Sequence, residues 1–178
     1  MKQLSDISLV TRVAVFHDKK AFDALVVKYQ SAVRRFFLSQ TLGDEQLSDD
    51  LAQDTFIKAY TSIGRFRGLS GFSTWLYRIA YNVLYDYRRS HKITDDVDSL
   101  ATERSAARTD KALGMDIYGA LKILKADERL CLTLQLIDGL PVDKISEITS
   151  LPVGTVKSHL SRSKHKLANY LKDNGYDR

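Results

Sequence analysis

Apolar residues recur along this chain in three- and four-residue steps, the spacing that lines one side of a helix. Leu4, Ile7, Val10 and Val13 predict a short first helix closing near His17-Asp18. The Asp18 carboxylate can accept from free N–H groups and so start the next helix. Phe22, Leu25, Val26, Tyr29, Val33, Phe36 and Phe37 then keep the period for about five turns, a core helix. After a polar break at Ser39 to Ser48, a third helix is expected from about Ser48 to Ile63, with Ala52, Phe56, Ala59 and Ile63 inward. A Gly/Ser-rich loop from Phe66 follows. Ser73 or Thr74 is the expected cap of a fourth helix that ends at Ser90-His91-Lys92. Leu76, Ile79, Ala80, Val83, Leu84 and Tyr87 mark its inner side.

The pattern fails from Ile93 to about Arg108, where Asp, Ser and Thr dominate and Val97 and Leu100 stand isolated. Such a run, roughly 15 to 20 residues, is long for a loop inside a domain and reads as a linker. The period resumes with Leu113, Ile117, Leu121 and Leu124. Asp127 is expected to cap an apolar helix, Glu128 to Asp138, stopped by Gly139. Pro141 opens a short helix whose Ile145 and Ile148 point inward. Thr149-Ser150-Leu151 forms a tight turn, and Pro152 begins a last helix lined by Val153, Val156, Leu160, Leu167 and Leu171. The expected fold is all-α: two small helical domains joined by a flexible acidic linker. The N-terminal helical bundle takes 1–92, the linker 93–111, and a C-terminal helix-turn-helix domain 112–178.

Composition narrows the class. The 178 residues are 44% hydrophobic, enough for a core, and contain two prolines. The lone Cys131 excludes an internal disulfide and sits in a Leu-rich run, which fits a buried thiol in a reducing compartment. The N-terminus has no signal-peptide apolar core, and no apolar run approaches membrane-spanning length, so a cytoplasmic protein is expected. Net charge is only +5, so where the charge lies matters more than its sum.

Three faces carry candidate chemistry. Arg78, Tyr81, Asn82, Tyr85, Arg88 and Arg89 share the outer side of the fourth helix. Rings stack on unpaired bases and guanidiniums neutralise phosphates. Alternatively this is a surface helix with tyrosines lying across its neighbours. The third helix starts among acids, and no Lys or Arg stands between Thr41 and Ile57. Complementing the helix dipole explains Asp49 and Asp50. It explains Gln53 and Asp54 beside an outward Ile57 less well, and a docking face for a basic partner remains open. Leu151 to Lys172 holds five Lys/Arg and no Asp/Glu, on the second helix of a helix-turn-helix pair, which points to DNA.

Three segments carry a family resemblance. Asp50-Leu51-Ala52-Gln53-Asp54-Thr55-Phe56-Ile57-Lys58-Ala59-Tyr60 resembles a signature of bacterial RNA polymerase sigma factors of the extracytoplasmic-function (ECF) group. So do Phe66-Arg67-Gly68 with Phe72 to Ala80, and Leu151 to Arg162. The resemblance implies docking on the coiled coil of the polymerase's largest subunit through Asp50, Gln53, Asp54, Ile57 and Tyr60. It implies that Arg67, Gly68, Phe72, Arg78, Tyr81, Asn82, Tyr85, Arg88 and Arg89 read and open the minus-ten promoter element, a flipped base being held by the Gly68–Phe72 loop. Thr155, Lys157, Ser158, Ser161, Arg162 and His165 would read the minus-thirty-five element. The implied partners are core RNA polymerase, promoter DNA and an anti-sigma factor, without cofactor, metal or catalytic residue. Ser146, Thr149-Ser150 and His159 depart from the family's usual Ala, Leu-Gly and Arg.

Other classes explain less. A plain helix-turn-helix regulator leaves Asp50 to Tyr60 and Phe66 to Arg89 unused. For an enzyme, the four histidines are scattered and no phosphate-cradling Gly loop or nucleophile–base pair is present. A pure interaction protein is partly compatible, because an inhibitor would cover the same surfaces.

Overall fold

The computed structural model describes residues 5–95 and 112–175. The chain forms α1 (Asp6–Phe16), α2 (Lys19–Gln40), α3 (Glu45–Ser62), a 3-10 turn (Ile63–Arg65), α4 (Phe72–Asp95), α5 (Ala112–Lys122), α6 (Ala126–Leu136), α7 (Val142–Thr149) and α8 (Val153–Asp173). No strand occurs among the described residues. The all-α class and the two helical units are as expected. Most of the linker, from residue 96 to 111, lies outside the described residues.

Helix starts follow local chemistry, and three differ from expectation. Asp18 caps α2 as foreseen, its Oδ1 accepting from Ala21 N–H at 3.2 Å. Asp44 does the same for α3 through Leu47 N–H at 3.0 Å, so that helix begins three residues earlier than its apolar stripe indicated. In α4 the first turn opens at Phe72, with Trp75 N–H bonded to Gly71 carbonyl, so Ser73 and Thr74 lie inside the helix and do not cap it. In α6 the Glu128 carboxylate reaches back to Lys125 N–H at 3.1 Å, and Asp127 falls within the first turn rather than at the cap. Inward assignments also fail at Ile7, 70% exposed, where Leu9 takes its place in the core, and at Ile117 and Val153, which are exposed as well.

The core is continuous across the two halves. Leu25, Phe36, Phe37, Leu76, Ala80 and Leu84 of α2 and α4 share one buried cluster with Leu130, Leu134, Ile145 and Ile148 of α6 and α7. Helix α6 packs on α2, and α7 packs on α4. Burying these side chains is worth about 1.5–3 kcal/mol each, so the shared face holds the halves together. Cys131 lies in the same cluster, fully buried, and burial pushes its thiol pKa up to about 12. A second, smaller cluster of Leu121, Leu124 and Leu132 closes the C-terminal half.

Polar contacts register the two halves. Gln40 donates from Nε2 to Thr133 Oγ1 at 2.9 Å. Tyr77 donates its hydroxyl to Asp138 Oδ1 at 2.9 Å, and Arg35 stands 3.6 Å from the same oxygen. Arg78 donates through Nε and Nη2 to the Glu147 carbonyl at 3.2 and 2.8 Å. Tyr118 closes against the α2–α3 loop, where a Cβ on Gly43 would come within 2.8 Å of its ring. Gly43 also has φ +90°, so its lack of a side chain is required twice over.

Candidate nucleic-acid interface

The acidic face of α3 is real and free. Asp50, Gln53, Asp54, Ile57 and Tyr60 are all exposed. Asp49 is instead engaged by Arg34, Nε to Oδ1 at 2.6 Å, which keeps it within the protein's own charge network. Beside Gln53, Ile57 and Tyr60, a shallow groove of about 520 Å3 opens between α2 and α3. Phe22 and Val26 form its other wall, and Phe22 meets Tyr60 edge-on at 4.9 Å. Sequence periodicity places Phe22 and Val26 in the core, because a groove wall and a core position share the same spacing. The groove also carries Asp23 and Lys19 at its edge, and Asp50 and Asp54 are exposed on the same helix as Ile57, so an apolar groove beside acids suits a partner helix with apolar and basic side chains.

The loop before α4 divides into a floor and a tip. Arg67, Gly68 and Leu69 are exposed, with Leu69 90% so, and Gly68 holds φ +68°. Phe72 is different from expectation. It is buried against Tyr29, Phe66 and Trp75, with ring centroids at 5.5, 5.9 and 5.6 Å, and supports the loop from beneath. An exposed leucine at a loop tip was the signal that the sequence offered and spacing could not weigh.

The outer face of α4 is also divided. Asn82, Tyr85 and Arg89 are exposed, and Tyr85 lies 6.4 Å from the half-buried Tyr81. Arg78 is exposed but already bonded to the Glu147 carbonyl. Arg88 turns inward to Gln40 Oε1 at 3.2 Å, and burial lowers its pKa. It therefore stands apart from the face that helical spacing gave it, because a long side chain can follow the seam between helices.

On α8, Lys157, Ser158, Ser161, Arg162 and His165 are exposed and Thr155 half-exposed, all on the side opposite Val156, Leu160 and Ser163. The turn before α8 is built by residues that depart from the family pattern. Ser146 Oγ donates to the Leu151 carbonyl at 2.6 Å, and Thr149 Oγ1 accepts from Leu151 N–H at 3.4 Å. Ser150 takes the left-handed conformation, φ 59°. The turn is thus closed by hydroxyls where glycine would have supplied backbone freedom.

Known proteins share these features in the same order. Sigma-70 region 2 matches residues 25–93, and Sigma-70 region 4 matches residues 114–167. The chain belongs to the sigma-70 family. Among relatives of this sigma factor, the ECF RNA polymerase sigma-E factor of Escherichia coli K12 is 35% identical over 188 residues, spanning 94% of this chain and 95% of the relative. The RNA polymerase sigma-H factor of Pseudomonas aeruginosa is 34% identical over 183 residues, at 94% of each. In solved structures, the sigma factor RpoE of Bartonella quintana, in complex with the anti-sigma factor NepR, superposes with a TM-score of 0.77 at 29% identity, covering 89% of this chain and 99% of that one. CnrH, in complex with the cytosolic domain of CnrY, shares the fold at a TM-score of 0.73 and 24% identity, over 96% and 99% of the two chains. Among the described residues of this ECF sigma factor, no helix is long and apolar enough to cross a membrane.

Proposed function

We propose that this chain binds core RNA polymerase and directs it to promoters, with each surface in a separate role. What carries the reading is the coincidence of the two family matches with three exposed faces of matching chemistry. The α2–α3 groove, with Asp50, Gln53, Asp54, Ile57 and Tyr60, docks on the coiled coil of the largest polymerase subunit. The loop tip at Arg67 to Leu69 takes an unstacked base, and Asn82, Tyr85 and Arg89 line the strand. Unstacking a base costs a few kcal/mol, which a pocket and stacking contacts offset, so opening needs no fuel. Thr155, Lys157, Ser158, Ser161, Arg162 and His165 read the minus-thirty-five element through the major groove. The units are 1–92 and 112–178, joined by 93–111.

The packed arrangement is a resting form in this reading. Two elements some 25 base pairs apart lie about 85 Å apart on B-form DNA. Halves that share one core do not reach both, so promoter binding separates α7 from α4 and frees Arg78 and Tyr81. An anti-sigma factor, of the kind seen bound to the B. quintana relative, would hold this chain off polymerase by covering the same faces.

Run-off transcription with core polymerase on a genomic library, followed by start-site mapping, tests the function. Start sites sharing two spaced elements are expected. Their absence, together with no binding to core polymerase, would sink the reading.

A further inference from the structure

One residue of the C-terminal half occupies the outer face of α4. Arg78 donates through Nε and Nη2 to the main-chain carbonyl of Glu147, at 3.2 and 2.8 Å. The Glu147 carboxylate stands beside it, with Oε1 at 3.8 Å from Arg78 Nη2. That carbonyl lies in the last turn of α7, where helix carbonyls lack an internal partner and the helix dipole is negative. The guanidinium fork thus meets a group of oxygens carrying negative charge, which is what a phosphate presents to it.

The loop before α4 is drawn into the same contact. Lys144 foremost, then Arg78 and a hydrogen bond with Ser70, hold the Glu147 carboxyl below its ordinary pKa, so it is charged at neutral pH. Ser70 directly follows the exposed tip at Arg67 to Leu69. Lys144, one turn back on α7, lies 2.9 Å from Glu147 Oε2. The carboxylate therefore keeps a partner when α7 leaves α4. Arg78 does not: among the described residues it has no other hydrogen bond or ion pair, so parting leaves its fork open. The two side chains are 46% and 31% exposed, and a pair so open to water is weak enough to be exchanged.

We propose that Glu147 is an internal decoy for phosphate, which occupies Arg78 and the base-taking loop in the free chain and so denies that face to single-stranded DNA outside a promoter. The proposal rests on the reading of the α4 face given above and adds its control. Polymerase and promoter draw the halves to separate elements and carry the decoy away. A stray single strand touches one face only and meets the decoy in place. Glu147 is then a specificity residue that contacts no DNA itself.

The test is fluorescence anisotropy of a dye-labelled, mixed-sequence single-stranded DNA titrated with the full chain in the absence of polymerase. Glu147→Gln keeps the main-chain contacts and removes the charge. It should bind about two- to fivefold more tightly than wild type, the worth of an exposed ion pair. Asp173→Asn makes the same change in net charge at an exposed position at the far end of α8, and should not reproduce the gain. In an Arg78→Gln chain, Glu147→Gln should have no effect. Glu147→Ala should tighten binding at least as much as Glu147→Gln, since it leaves no side-chain amide to re-form the contact. Equal binding by wild type and both Glu147 variants, an equal gain from Asp173→Asn, or a gain that persists without Arg78 would overturn the decoy. So would the absence of binding by every variant. Start sites mapped with core polymerase decide the promoter reading separately, so the two can fail independently.

Discussion

The Tyr77 hydroxyl donates to Oδ1 of Asp138, joining the second turn of α4 to the loop that follows α6. The Asp138 side chain is only 3% exposed, and its Oδ2 has no hydrogen-bond partner among the described residues. Tyr77→Phe therefore removes a hydrogen bond to a buried carboxylate that has little else. A loss of about 1.5–3 kcal/mol is expected in urea unfolding. In a double-mutant cycle with Asp138→Ala, which leaves no acceptor, the coupling should account for most of that loss.

The same carboxylate sets a pH response. Burial raises the Asp138 pKa, and the Tyr77 hydrogen bond and Arg35 oppose it without cancelling it. The folded chain then holds this proton more tightly than the unfolded chain. Its contribution is fully present below the ordinary Asp pKa and is lost as pH rises through the raised folded value. Wild type should gain stability relative to Asp138→Asn as pH is lowered from neutrality toward 4. A stability difference between the two that is flat with pH, measured by urea unfolding, would contradict this.

Ser150 adopts φ 59° at the turn between α7 and α8. A non-glycine residue pays about 1–2 kcal/mol for that conformation, partly returned by glycine's larger entropy loss on folding. Ser150→Gly should raise stability by up to about 1 kcal/mol. Ser146→Ala should lower it by about 1 kcal/mol, by removing the 2.6 Å bond to the Leu151 carbonyl. Thermal melts of the two single variants check both signs.

Phe72 and Leu69 should separate stability from promoter opening. Phe72→Ala empties a buried aromatic site and should cost about 3–5 kcal/mol. Leu69→Ser changes a side chain 90% exposed and should leave the melting temperature unchanged. Under the proposed function it should still reduce open complexes, read by permanganate reactivity of unpaired thymines.

On α8, replacing Lys157 and Arg162 with Ala removes two exposed cations. Promoter affinity should fall, and the slope of log K against log salt should become shallower by about 2, one unit for each phosphate no longer neutralised. An unchanged slope would mean that this face does not follow the DNA backbone.

Much of this was legible in the chain because helical period and capping chemistry are local. The inner stripe from Leu76 to Leu84, the Asp18 cap and the outward acids of α3 could all be read directly. Phe72, Phe22 and Arg88 show the limit. An aromatic in a Gly/Ser loop can support the loop or meet a ligand, and only Tyr29, some forty residues earlier, decides that it is support. Phe22 keeps a core spacing yet ends at the rim of a groove, because no neighbour covers it completely. Arg88 follows Arg78 and Tyr85 in spacing, but Gln40 draws it inward. Nor could the joining of the halves be foreseen, since Tyr77 and Asp138 lie 61 positions apart and each fits an ordinary local role.

The shared core of α2, α4, α6 and α7 makes recognition conditional on a population. If only separated halves grip both promoter elements, measured affinity equals intrinsic affinity multiplied by the fraction of molecules already parted. Each 1.4 kcal/mol of packing between Leu130, Leu134, Ile145 or Ile148 and the N-terminal half then costs a factor of ten in apparent binding. Polymerase docking on one half shifts that fraction when it strains or displaces the other. Substitutions deep in the seam, far from any base or phosphate, would therefore change promoter occupancy without altering a single DNA contact.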